Sequence, residues 1–207
     1  MRPDPSARAE FVAAFREMTA RIEHSLSGVA KRALPIRMFV GGGTALHFYT
    51  GARVSEDVDA AFSHRIALPE QLDIAYRDAD GAARLLYFDY QFNDTLGLMH
   101  ERAHDDSVPL ALDGIDALVL DVRLLSPVDL ATSKLGRYME HDRADIEALA
   151  KHGLIKAKAL RKRAEAAAGA YVGDVARVHH TIDLACRMVE DVERSQTAKP
   201  VRQRHKK

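Results

Sequence analysis

The sequence predicts an α/β fold: a small mixed sheet flanked by helices, with a C-terminal helical region. Three observations predict it. Apolar runs of strand character at 36–40, 84–92 and 115–125 follow turn signals at Pro35, Asp80-Gly81 and Asp113-Gly114. Longer segments at 6–33, 141–152, 154–170 and 173–194 read as helices, and in the first and last the apolar residues recur at helical spacing. Between them, residues 36–62 read as strand, glycine turn, short helix and second strand.

The elements follow in order. In the first helix, 6–33, Phe11, Val12, Phe15, Met18, Ile22 and Leu26 form an apolar face. Ile36 to Val40 is the first, buried strand. Gly41, Gly42 and Gly43 allow a tight turn and a close backbone approach. Thr44 is read as the N-cap of a helix that ends at Gly51. Arg53 to Phe62 is read as one strand, Pro69 to Arg77 as a short helix, and RLLYFDYQF, 84–92, as a strand. A short strand is expected near Leu96 to Met99, and another over Ile115 to Leu125. Ser126, Pro127 and Asp129 then give the clearest helix start in the chain, as N-cap, first-turn proline and acidic capping residue.

Helices over 141–152, ended by Gly153, and over 154–170 come next. The last runs from Gly173 to Arg194, and Val175, Val178, Ile182, Ala185, Val189 and Val192 make it core-facing rather than a dimer seam. The implied organisation is an N-terminal helix at 1–35, a core at 36–152, a helical region at 153–194 and a basic tail at 195–207 that reads as disordered.

The chemistry concentrates in 41–59. Asp57 and Asp59, two apart on a strand, share a face about 6–7 Å apart. Opposite a glycine-rich strand-to-helix turn, two such carboxylates suit a divalent metal and a phosphate. The turn is neither a P-loop, since no Lys-Ser/Thr follows the glycines, nor a dinucleotide fingerprint, which fails at Leu46. Lys134 stands among Leu130, Ala131, Leu135 and Tyr138, so it faces a partner rather than solvent. The simpler alternatives are a mere tight turn, a solvated strand face, and salt-bridge duty for Arg53.

In order and spacing, Gly42, Gly43, Thr44, Arg53, Ser55, Asp57 and Asp59 resemble the nucleotidyltransferases of the DNA polymerase β superfamily. The likeness is nearest to a bacterial branch that includes AbiEii-type and MenT-type toxins, and it covers residues 36–150. It implies a transferase that moves an NMP from an NTP to a hydroxyl, with Mg²⁺ or Mn²⁺ held by Asp57 and Asp59. Gly42, Gly43 and Thr44 would grip the phosphates, and Ser55 and Arg53 would orient the strand or touch phosphate. The superfamily's third carboxylate corresponds to Asp89 or to Asp121. Asp129 with Lys134, and Arg143 with Asp145, resemble two later motifs, although Ala144 stands where a basic residue is usual. Lys134 would contact the nucleotide phosphates, Asp145 would position Lys134 or a substrate hydroxyl, and Asp129 reads as a helix cap. The implied acceptor is a tRNA 3′ end or a protein, and the implied partner a cognate antitoxin. A small-molecule enzyme of the aminoglycoside-modifying kind is the runner-up. A nucleotide-binding or interaction protein with a decayed site is the non-enzymatic alternative.

Composition bounds these readings. The 207 residues carry a formal net charge of +0, with 47% hydrophobic residues. The balance is uneven: residues 151–207 hold 14 Lys+Arg against 6 Asp+Glu, a net of +8, and the first 150 a net of −8. An acidic half followed by a basic one fits a metal site beside a polyanion-binding surface. The bland reading is that the basic residues solvate helices. Cys186 is the single cysteine, set in an apolar helical pattern, so no internal disulfide forms. No run reaches membrane-spanning length, and no apolar signal core stands at the N-terminus, so a cytoplasmic location is expected. His100 and His104 lack the Glu of a metalloprotease motif, and His179 and His180 read as helix surface.

Overall fold

β1 (Ile36–Val40) is the apolar run after Pro35, buried at four of its five positions. It lies at the centre of a four-stranded sheet in a computed structural model that describes residues 1–93 and 97–198. The strand order is β3 (Ala60–Phe62), β1, β7 (Leu120–Leu124), β6 (Val108–Pro109). β1 runs parallel to β7, in register from Ile36 opposite Leu120 to Val40 opposite Leu124. On its other side β1 is antiparallel to β3, and β6 is antiparallel to β7. A smaller sheet has the order β2-β5-β4, built from β2 (Asp57–Val58), β4 (Ile74–Arg77) and β5 (Ala83–Phe88). Six helices flank these sheets among the described residues: α1 (Ala9–Ser25), α2 (Gly42–Thr50), α3 (Pro127–Ser133), α4 (Glu140–Lys151), α5 (Ala157–Ala168) and α6 (Val175–Thr197). The expected mixed α/β architecture with a C-terminal helical region is the one observed.

Several boundaries differ from expectation, each for a local reason. Residues 53–62 are not one strand. The chain changes partners at Asp59: β2 pairs in parallel with β5, and β3 pairs with β1. Residues 69–77 hold no helix, because Ile74 to Arg77 pairs antiparallel with β5 across the Asp78–Gly81 turn, and sheet pairing outweighs the local signal. β7 starts only at Leu120, because the chain turns first at Gly114 (φ 83°) and again at Asp116, whose carbonyl accepts from Val119 and Leu120. α1 ends at Ser25, whose hydroxyl donates to the Ile22 carbonyl at 2.6 Å, and short 3₁₀ turns take its place. Gly97 to Met99 is not a strand, and Leu96 lies outside the described residues. α6 takes in Ser195 to Thr197, and residues 199–207 lie outside the described residues.

The helix start at Ser126 forms as the sequence signals: its side chain accepts from the Asp129 N–H at 3.2 Å, with Pro127 in the first turn. Phe11, Phe15, Met18 and Ile22 of α1 are buried, and Phe15 meets Phe48 of α2 edge-on at 5.0 Å. Val178, Ile182, Ala185, Cys186 and Val189 turn α6 into the core, with His179 and His180 exposed. Burial pushes the Cys186 thiol up to about 11, so it stays protonated at neutral pH. No helix among the described residues is long and apolar enough to cross a membrane.

Candidate active site

The turn from β1 into α2 is built against the segment that follows α2. Gly42 has φ +57°, and a Cβ there would overlap the Asp59 carboxylate. A Cβ on Gly43 would stand 2.8 Å from Ser55 and 2.9 Å from the Arg53 guanidinium. The Gly41 N–H donates to the Asp59 carbonyl at 2.9 Å. These glycines therefore let the carboxylate-bearing segment close onto the helix N-terminus. Gly41, not Thr44, is the N-cap of α2. Thr44 is fully buried, and its hydroxyl donates to the Asp57 carbonyl at 2.9 Å, which ties α2 to β2 behind the carboxylates.

A cleft of about 910 Å³ opens in front of this turn. Asp57, Asp59 and Asp89 line it together with Gly42, Gly43, Ser55 and Arg53. The Ser55 hydroxyl donates to the Asp57 carboxylate and fixes it. Asp59 is pushed up to about 6, first by burial and then by the charges of Asp57 and Asp89, against a smaller pull from Lys134 and Arg137. Asp89 follows β5 directly and lies close enough to Asp59 to act on its charge. Asp121 is not in the cleft: Arg123 holds it at 3.0 Å and Arg37 approaches to 4.0 Å.

The basic side of the cleft is set by the helices, which carry Lys134 and Arg137 and draw in Arg53 from the segment before β2. Lys134 caps the C-terminus of α3 and lines the cleft, only 6% exposed. Its ammonium donates to Asp145 Oδ2 at 2.6 Å. Arg53 grips the same carboxylate from the other side, Nε to Oδ1 at 2.9 Å and Nη2 to Oδ2 at 2.8 Å. Burial alone would raise Asp145, but these two cations hold it below the usual carboxylate range. One turn back on α4, buried Asp142 binds Arg137 bidentately, with both contacts at 2.9 Å, and Arg137 also lines the cleft. α4 thus buries two carboxylates that hold three cations along one wall. Arg143, the basic residue of the expected motif, is exposed instead. Asp129 does more than cap α3: fully buried, it takes Arg163 Nε at 2.6 Å and Nη2 at 2.8 Å and locks α3 to α5.

A family model described as "Nucleotidyltransferase of unknown function (DUF6036)" matches residues 17–195. The chain belongs to this nucleotidyltransferase family. No curated protein and no solved structure matches it. The match carries the transferase class and not the narrower toxin-related branch.

In this nucleotidyltransferase the matched region runs from α1 into α6, beyond the segment that carries the motifs. Arg177 of α6 and Tyr171, which precedes it, line the cleft, and Arg177 donates to the Gly136 carbonyl at 2.5 Å. Sequence reasoning missed Arg137, Asp142, Tyr171 and Arg177. For Asp142 a signal existed: it and Asp145 are three apart on α4, on the face that also carries Ile146 and Leu149, where an acid needs a cationic partner. Nothing local marks Arg137, Tyr171 or Arg177. Among the described residues, no three or more His, Cys, Asp or Glu are grouped so as to hold a metal ion.

Proposed function

We propose that the cleft transfers a nucleotidyl group from an NTP to a hydroxyl, with Asp57 and Asp59 holding Mg²⁺ or Mn²⁺. One observation carries the reading: three carboxylates, one of them kept from ionising easily by the others and by burial, face a wall of held cations across one cleft. The donor set suits a cation shared with a ligand. Magnesium is commonly held by one or two carboxylates plus substrate phosphates rather than by an all-protein cage. When bound, the metal would neutralise triphosphate charge and draw the phosphates to the acidic wall.

The protein's own residues do the rest. Backbone N–H groups at Gly42 and Gly43 and the ammonium of Lys134 bind the triphosphate. Asp145 positions Lys134 and Arg53, and Arg137 adds charge at the leaving pyrophosphate. The acceptor oxygen attacks the α-phosphorus, and the bond from that phosphorus to the pyrophosphate oxygen breaks. The hydroxyl proton passes to Asp89, the carboxylate that completes the acidic wall. By the motif resemblance, the acceptor is a tRNA 3′ end or a protein, and the chain acts as a toxin with a cognate antitoxin.

The test is transfer of α-labelled NTP, with and without Mg²⁺, to tRNA, to lysate proteins and to hydroxylated small molecules. Label on tRNA or protein is expected, lost in Asp57→Asn/Asp59→Asn. Label only on a small molecule would reassign the acceptor. NTP binding without transfer to any of them would mark a non-catalytic site.

A further inference from the structure

A second, smaller chamber of about 280 Å³ opens beside the cleft and shares Gly97, Met99 and Tyr171 with it. Its chemistry is different. The wall carries Ala103 and Ala167, both buried, and His104, which is stacked flat on Phe39 with centroids 4.1 Å apart and planes 4° apart. None of its described lining residues is Lys or Arg, and Glu101 stands on its rim, so an anionic group is unwelcome. His100 Nδ1 accepts the Arg102 N–H at 3.1 Å, which leaves the neutral ring's proton on Nε2 as a donor. The chamber therefore combines apolar, partly aromatic walls with hydrogen-bonding groups, among them the His100 ring N–H and the Glu101 carboxylate. Its volume lies at about the lower end of the 300–1,000 Å³ range of ligand pockets.

Chamber and cleft meet next to the basic wall. At Gly136, between Leu135 and Arg137, an added Cβ would lie 3.6 Å from Leu98 Cβ and 3.9 Å from the Tyr171 hydroxyl. An NTP has the same division, a polyanionic end joined to a flat, neutral, hydrogen-bonding end. We propose that this chamber receives the nucleobase of the bound NTP, with Tyr171 and Met99 against the ring and His100 and Glu101 reading its edge. The assignment rests on the nucleotidyltransferase reading of the cleft and adds the subsite that makes an NTP differ from its phosphates alone.

Calorimetry on the full chain with Mg²⁺ separates the two claims, with ATP, GTP, CTP, UTP and inorganic tripolyphosphate as probes. At least one NTP is expected to bind at least about tenfold tighter than tripolyphosphate, the scale of one base stacked on an aromatic wall. Ala170, an exposed lining residue in the turn after α5, tolerates a larger side chain without disturbing the core. Ala170→Trp fills the chamber: it should erase the NTP advantage while leaving tripolyphosphate affinity and the melting temperature unchanged. Tyr171→Ala should narrow the same gap. NTP affinity unaffected by Ala170→Trp would overturn the chamber assignment, as would equal affinity of the native protein for all four NTPs and tripolyphosphate. If neither NTP nor tripolyphosphate binds, the reading of the cleft itself falls and the chamber assignment with it.

Discussion

The two walls of the cleft solve opposite electrostatic problems. The sheet wall gathers Asp57, Asp59 and Asp89, and burial together with the like charges raises Asp59 to about 6. The helix wall gathers Lys134, Arg53 and Arg137, each hydrogen-bonded to one of two buried carboxylates of α4. One wall sets like charges side by side, and on the other every cation has a carboxylate partner. The difference separates what a ligand must supply from what the fold supplies. Opposite charge brought to the acidic wall relieves repulsion, whereas the basic wall is preorganised before anything binds.

Removing the balance on the helix wall should have the largest effect. Asp145→Ala removes the carboxylate that Lys134 and half-exposed Arg53 share, leaving only the more distant Asp57, Asp59 and Asp142, and breaking the buried Lys134 pair in this way costs about 3–5 kcal/mol. Urea denaturation should show that loss. Lys134→Ala is the milder cut, since Arg53 keeps both its contacts to Asp145. It should cost about 1.5–3 kcal/mol or less, the scale of one charged hydrogen bond, and weaken NTP binding more than it weakens the fold. Equal destabilisation by the two variants would show that the Arg53 contacts carry no weight, and would break the picture of a shared carboxylate.

The acidic wall should respond in the reverse sense. In metal-free buffer at neutral pH, Asp59→Asn removes a charge that burial and two neighbours disfavour. It should raise stability, by roughly 1–2 kcal/mol. Added Mg²⁺ should raise the melting temperature of the native chain by mass action and leave Asp57→Asn/Asp59→Asn unmoved. Destabilisation by Asp59→Asn would mean that the carboxylate is structurally satisfied and that the two walls are alike.

The smallest expected effect lies outside both walls and serves as a control. His47 of α2 is fully buried, with Nδ1 bonded to the Ala52 carbonyl at 3.0 Å and Nε2 accepting the Arg8 N–H at 2.9 Å. Burial lowers its pKa from the ordinary histidine value of 6.5, so the folded state holds it neutral. The unfolded chain then binds the proton first. Stability is full above about pH 6.5 and falls as the pH drops below it, by at most about 1.4 kcal/mol per pH unit. Asp59, raised to about 6, gives a slope of the opposite sign in the same window, so denaturation between pH 7.5 and 5 should show the His47 slope as the difference between the native chain and His47→Gln.

The residues legible in the sequence are those whose reasons are local. The strand before Gly41, the cap at Ser126, the turn at Gly81 and the core face of α6 follow from spacing and backbone chemistry within a few residues. Lys134 was legible because a lysine in an apolar stripe contradicts its surroundings. The pairing of Asp57 with Asp59 was also visible, although the strand expected to carry them is broken at Asp59. Tertiary structure alone put Asp89 in the cleft and Asp121 outside it against Arg123, since both interrupt apolar strands in the sequence. It also replaced the helix expected at 69–77 with β4, because the partner strand supplies hydrogen bonds that no local pattern encodes. Arg137, Tyr171 and Arg177 come to line the cleft only when α4, α5 and α6 pack together. By itself the sequence determined the α/β class and the glycine–carboxylate motif, where backbone and neighbouring side chains decide the outcome. The folded chain decided which charges face one another, because Coulomb interactions and burial depend on distance in space and not on separation along the chain.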